Sequence, residues 1–220
     1  MRLNLRLKAG GVLAVIATAL LGWALPALSQ AVEGKQYTLL SPPQTSEISG
    51  KTEVIEFFSY GCPHCWHFHP LIDKWAAELP PNVIIVRVPV SLGRPQWGQL
   101  SRAYYALQAT GDLKRLDGEL FDAIHKEQQP LFSESNITAW VAAHGVDAAK
   151  FTEAFNSFAV STKASHAEQL SRNYQVDGIP KIVVGGKYVV QAATLEELLT
   201  NAQQVVATVA PTAAGAKSSK

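Results

Sequence analysis

The chain is expected to adopt an α/β fold interrupted by an all-helical insertion, and three observations point there. Strand-like runs at Glu53–Ser59 and Asn82–Pro89 flank a helical pattern, an order that implies a crossover and a parallel pairing. From about Gln96 to Tyr174 every apolar repeat has helical spacing. Strand signals then return at Gly178–Val190, before a last helical segment. The boundaries read as a signal peptide over 1–29, an α/β first part over 30–95, and the helical insertion with its connecting helix over 96–174. An α/β second part over 175–209 and a flexible tail over 210–220 complete the chain. No internal repeat is evident.

The first segment carries Arg2, Arg6 and Lys8, an apolar stretch from Gly10 to Leu25, and a small-residue cleavage site at Pro26-Ala27-Leu28-Ser29. Its sixteen apolar residues fall short of the roughly 20 that span a bilayer, so export with cleavage is favoured over a retained anchor. Export in a bacterial style points to a periplasm, where disulfides persist. Without the leader, 16 Lys plus Arg stand against 18 Asp plus Glu, a balance that gives no support for nucleic-acid binding. About 190 residues remain, enough for one sizeable core or a small domain carrying an insertion.

After the leader, Gly34–Leu40 reads as a short strand closed by Pro42-Pro43. The strand over Glu53–Ser59 is apolar on both faces except at Glu56, the signature of a central, buried position. Glu56 is then either an edge residue reaching water or a buried acid with a raised pKa, and the sequence leaves the two even. Gly61 ends this strand and Pro63 suits the first position of a helix, which places Cys62 at its N-cap. That helix continues through Phe68, Leu71, Ile72, Trp75 and Leu79 to Pro80-Pro81, with His67 and His69 read as solvated or rim residues.

In the helical block, Leu116, Leu120 and Ile124 recur every four residues, Ile137 and Val141 flank Trp140, and Phe151, Phe155 and Phe158 mark another apolar face. Gly111 and Gly145 fit helix C-termini and Asn136 an N-cap. Gly185-Gly186 reads as a two-residue hairpin turn, and Thr194 as the cap of a final helix. On local sequence, Pro180 reads as an ordinary trans proline at a strand start.

The chemistry centres on Cys62 and Cys65, the chain's two cysteines, in Cys62-Pro63-His64-Cys65. A structural staple enclosing only Pro63 and His64 would contribute little, because disulfide stabilisation grows with loop length. A metal site has Cys62, Cys65 and His69 on one helical face but no second Cys or His pair at ligand spacing. A redox pair has a reason at each position. The helix N-terminus and an imidazolium at His64 favour a thiolate at Cys62, while Cys65, deeper in the helix, is the resolving thiol. Stabilising the reduced form makes the disulfide more oxidising.

With Gly34-Lys35-Gln36-Tyr37 before it, and Ala154-Phe155-Asn156-Ser157-Phe158, Gly178-Ile179-Pro180 and Gly185-Gly186-Lys187-Tyr188 after it, the segment Glu56–Cys65 resembles the bacterial periplasmic DsbA-type thiol:disulfide oxidoreductases. The resemblance covers nearly all of the chain after the leader. It implies a thioredoxin-like fold with an inserted all-helical domain. DsbA is itself a standard example of a strongly lowered thiol pKa, so that expectation is borrowed from the resemblance. It also implies that Pro180 is cis beside the disulfide and that Ile179 offers its backbone to an extended substrate strand.

By the same resemblance, Cys62 is the attacking cysteine, Cys65 the resolving one, His64 the thiolate stabiliser and Glu56 the buried proton-transfer acid, with Arg87 opposite Glu56. Ile179 and Lys181 depart from the family's usual small residues around the proline, which bears on substrate range. The implied activity is a periplasmic dithiol oxidase, monomeric and without a cofactor. It would act on unfolded or reduced exported proteins and be reoxidised by a DsbB-like membrane quinone reductase. A reductase or isomerase with the same motif, and a redox-inactive metal-binding or chaperone protein, are the alternatives.

Overall fold

The computed structural model describes residues 30–46 and 48–210. The leader read over Met1–Ser29 and all but Ala210 of the tail lie outside them. The elements run β1 (Tyr37–Leu39), β2 (Thr52–Phe58), α1 (Pro63–Glu78), β3 (Val83–Pro89), α2 (Pro95–Thr110), α3 (Leu113–His125), α4 (Glu134–Ala143), α5 (Ala148–Asn156), α6 (Phe158–Asn173), β4 (Lys181–Val184), β5 (Tyr188–Val190) and α7 (Leu195–Val209).

They build one five-stranded sheet in the order β1-β5-β4-β2-β3. β2 and β3 are parallel, joined by the α1 crossover, and β4 runs antiparallel to β2 on its other side. β2 is therefore central, which removes the edge alternative for Glu56. Because strand side chains alternate, Val54, Glu56 and Phe58 share one face of β2, and Ile55 and Phe57 the other. Val54 packs with Phe68, Ile72 and Trp75 of α1 and with Leu198, Ala202, Val205 and Val206 of α7. Ile55 and Phe57 pack on the opposite face with Ala167 of α6 and with Tyr174.

The helical block forms a third cluster, in which Leu107, Leu116, Leu120, Phe121, Ile137, Val141 and Phe151 are fully buried. Burying each such side chain contributes about 1.5–3 kcal/mol before entropy is subtracted. This cluster also contains Phe58, Tyr60, Cys62 and Cys65, so the insertion's core is continuous with the cysteine site.

Four local expectations need correction. Phe158 is 87% exposed, because α5 ends at Asn156 and Phe158 starts α6 in a new direction, out of line with Phe151 and Phe155. The N-cap of α4 is Ser133, whose hydroxyl accepts from the Asn136 N–H, so Asn136 lies inside the first turn. His69 is buried rather than solvated, under Phe121 of α3. The β4–β5 hairpin has three residues, Gly185, Gly186 and Lys187, between the paired Val184 and Tyr188.

Gly186 has φ +74°, and a Cβ there would lie 2.0 Å from the Gln44 carbonyl oxygen. The Gln44 N–H donates to the Gly186 carbonyl at 2.9 Å, so the two backbones are held together. Gly186→Ala should therefore destabilise the fold by at least about 1–3 kcal/mol, read as a lower denaturation midpoint. An unchanged midpoint would contradict this packing.

Candidate active site

Cys62 is the N-cap of α1, with extended backbone and Pro63 at the first helical position. No side chain caps this end, so its N–H groups are free to face sulfur. Both cysteines are free thiols and buried, Cys65 completely. The Cys62 thiol is lowered from 9.0 to about 6. The largest cause is the hydrogen bond from the Cys65 side chain; the backbone N–H groups of Cys65 and His64 and the charge of His64 add to it, against the cost of burial. Cys65 moves the other way, well above the usual thiol value, because burial and the adjacent Cys62 disfavour its thiolate. The expected asymmetry is present, but Cys65 contributes more to it than His64 does.

Ile179 and Pro180 are joined by a cis peptide bond, so the reading from local sequence is replaced by the one the resemblance implied. Cys62 Sγ lies 3.7 Å from the Ile179 carbonyl oxygen, which brings together residues 117 positions apart. Exposed His64 and half-buried Pro180 line a groove of about 460 Å³ with Asp177, Lys181, Gln191 and Thr194. Lys181 Nζ is held by Asp177 Oδ1 at 2.7 Å and the Gln175 carbonyl at 3.1 Å, which fixes its charge at the groove wall.

Glu56 is 0% exposed and its carboxyl is raised above the ordinary value, burial outweighing the attraction of Arg87. Arg87 stands opposite it in the β2–β3 register and donates from Nε to Oε2 at 2.6 Å. Burial works against the Arg87 cation, but Glu56 and Asp117 keep it charged and raise its pKa. Glu56 Oε1 has no hydrogen-bond partner. The charge of Glu56 acts on Cys65 and disfavours its thiolate.

Several site residues were not singled out from sequence. Asp117 of α3 accepts from Arg87 through Oδ2 and from the Tyr60 hydroxyl through Oδ1. Leu113, Asp117 and Phe121 fall at i, i+4 and i+8, so an acid interrupting that apolar row was the available signal. His125 Nε2 lies 2.7 Å from the Tyr60 carbonyl and its ring stacks on Trp66. The Trp97 indole packs against Gly61 so closely that a Cβ there would lie 2.2 Å from it.

Among the described residues, no group of three or more His, Cys, Asp or Glu side chains could hold a metal ion. His69 is 3.5 Å from Asp73 instead. Also among the described residues, no helix is long and apolar enough to cross a membrane.

A sheet carrying two unequal thiols at a helix N-terminus, with a cis-proline beside them and an inserted helical domain, defines a thioredoxin-like thiol:disulfide oxidoreductase. Residues 53–203 match the model of the DSBA-like thioredoxin domain. The thiol:disulfide interchange protein DsbA of Bordetella pertussis is 40% identical over 160 residues, covering 73% of this chain and 76% of that protein. Its counterpart from Burkholderia cepacia is 38% identical over 181 residues, covering 79% and 85%. The crystal structure of Pseudomonas aeruginosa DsbA superposes with a TM-score of 0.73 at 38% identity, covering 77% of this chain and 90% of that one. The structure from Xylella fastidiosa gives 0.76 at 30% identity, covering 80% and 96%. This chain belongs to the DSBA-like thioredoxin domain family and is a disulfide oxidoreductase.

Proposed function

We propose that this enzyme is a periplasmic dithiol oxidase that donates a Cys62–Cys65 disulfide to newly exported proteins. The observation that carries this reading is the split between the two thiols: Cys62 lowered to about 6, Cys65 raised by burial above Glu56. A dithiol whose reduced form holds a stabilised thiolate is a strong oxidant as a disulfide, because resolution of the mixed disulfide releases Cys62 as that low-energy thiolate.

In the first step a client thiolate attacks Cys62 Sγ, the S–S bond breaks, and Cys65 Sγ leaves with the electron pair. Its high proton affinity draws a proton, which Glu56 supplies from a carboxyl whose own hold on a proton is strengthened by burial. A second client thiolate then attacks the client sulfur of the mixed disulfide and releases Cys62 as a thiolate stabilised by Cys65, the helix N-terminus and His64. The client loses two electrons and the enzyme disulfide gains them; Glu56 is reprotonated from solvent. Ile179 presents its backbone to the extended client beside Pro180, and the groove past His64 receives the client chain. A DsbB-like membrane quinone reductase would accept the two electrons and restore the disulfide.

Equilibration with glutathione buffers of graded ratio tests this. The fraction oxidised should give a reduction potential near the roughly −120 mV associated with DsbA. A value near the roughly −270 mV of thioredoxin would make the protein a reductase.

A further inference from the structure

We propose that Asp117, contributed by the helical insertion, is a positioning residue that keeps Glu56 able to hold a proton by taking half of Arg87's guanidinium away from it. The inference rests on the proton-donor role of Glu56 proposed above. Two carboxylates share one cation: Arg87 donates to Glu56 through Nε and to Asp117 through Nη1. Asp117 is 15% exposed and Glu56 has no exposure, so the proton belongs on Glu56, whose Oε1 is unpaired in the interior. Asp117 is anchored from the other side by the Tyr60 hydroxyl, two residues before Cys62.

The groups facing Glu56 come from every element around it. Arg87 lies on β3 and Asp117 on α3, while Cys65 and His69 lie on α1, as does Asp73, which faces Arg87 at 4.0 Å. Tyr104 of α2 completes the set, while Tyr60 of the β2–α1 turn faces Asp117 and Arg87. Among them the Asp117 charge raises the Glu56 carboxyl, and the charges of Arg87 and His69 lower it. Removing the Asp117 charge leaves Arg87 to Glu56 at 2.6 Å and to the exposed, more distant Asp73 at 4.0 Å, which favours the Glu56 carboxylate. Glu56 then has less proton to give when Cys65 leaves. On this view the helical domain takes part in the proton transfer as well as framing the cysteine site.

The test compares wild type with Asp117→Asn, following the Glu56 carboxyl by carbon-detected NMR titration of the reduced protein. In parallel, the rate at which a reduced peptide thiol opens the Cys62–Cys65 disulfide is measured against pH. Asp117→Asn should lower the Glu56 midpoint by about one pH unit and move the pH profile of disulfide opening in the same direction. Asp117→Ser, which removes the charge with a different shape, should do the same. In a Glu56→Gln background Asp117→Asn should cause no further shift.

A folded Asp117→Asn protein with the wild-type Glu56 midpoint overturns the proposal. So does loss of the fold in both Asp117 variants, which would make the residue structural. A Glu56→Gln enzyme with the wild-type pH profile overturns the underlying role of Glu56, a distinct result because the Glu56 midpoint in Asp117→Asn would still move.

Discussion

Cys62→Ser is expected to abolish oxidation of a reduced client to the uncatalysed background while leaving the fold intact. Serine nearly matches cysteine in volume and occupies helix N-caps readily, so α1 should start where it does now. The chemistry is lost because a hydroxyl forms no disulfide, and Cys65 cannot take over. It is fully buried, and burial, the largest cause of its raised pKa, remains when the Cys62 sulfur is gone. The ultraviolet thiolate absorbance of the reduced wild type should titrate with a midpoint of about 6 and be missing from the variant.

The same group gives a stability signature. Its folded value of about 6 is below the ordinary 9.0, so the thiolate stabilises reduced wild type above the ordinary value, and this is lost as pH falls through the folded one. Reduced Cys62→Ser should therefore lag reduced wild type most at alkaline pH and converge with it below about pH 6. Unchanged client oxidation by Cys62→Ser would refute the role assigned to this sulfur.

Arg87→Ala should destabilise the fold by about 3–5 kcal/mol near neutral pH. Arg87 is the cation shared by Glu56 and Asp117, and its guanidinium also packs 4.5 Å over the Phe58 ring. Removing it leaves a carboxyl with no exposure facing a second one across a void. Glu56 can relieve the strain only by holding its proton more tightly. Its folded pKa, already above 4.5, then rises further. Stability from a raised carboxyl is fully present below the ordinary value and is lost as pH rises through the folded one. The deficit of Arg87→Ala relative to wild type should thus widen from acid pH, where both carboxyls hold protons, to alkaline pH in chemical denaturation. A deficit of the same size at both ends would mean that lost packing on Phe58, rather than unpaired charge, is what Arg87 supplies.

Much of this site was legible along the chain because its parts are local. Cys62 at an N-cap, Pro63 at the first helical position and Cys65 one turn on follow from a strand run, a glycine and a proline in consecutive positions. Thr194 as a cap, accepting from the Glu197 N–H, was readable for the same reason. Glu56 was visible as a carboxyl in an apolar strand. Which of its two readings held depended on β4 lying on the far side of β2, a pairing between residues more than a hundred positions apart. His69 and Phe158 went the wrong way because burial belongs to what packs against a helix: α3 covers His69, and nothing covers Phe158.

Patterning within single elements was thus sufficient for the order of strands and helices, the reactive pair and, with the family resemblance, the class of reaction. Tertiary structure decided how the site is tuned. It set Ile179 beside Cys62, put Glu56 fully inside, and reached Asp117 from the insertion to Arg87 and Tyr60, which are 30 and 57 residues away. Periodicity reports which way a side chain points from its own element. The proton affinity of a buried group depends on which charges other elements bring against it, and only the packed fold determines that.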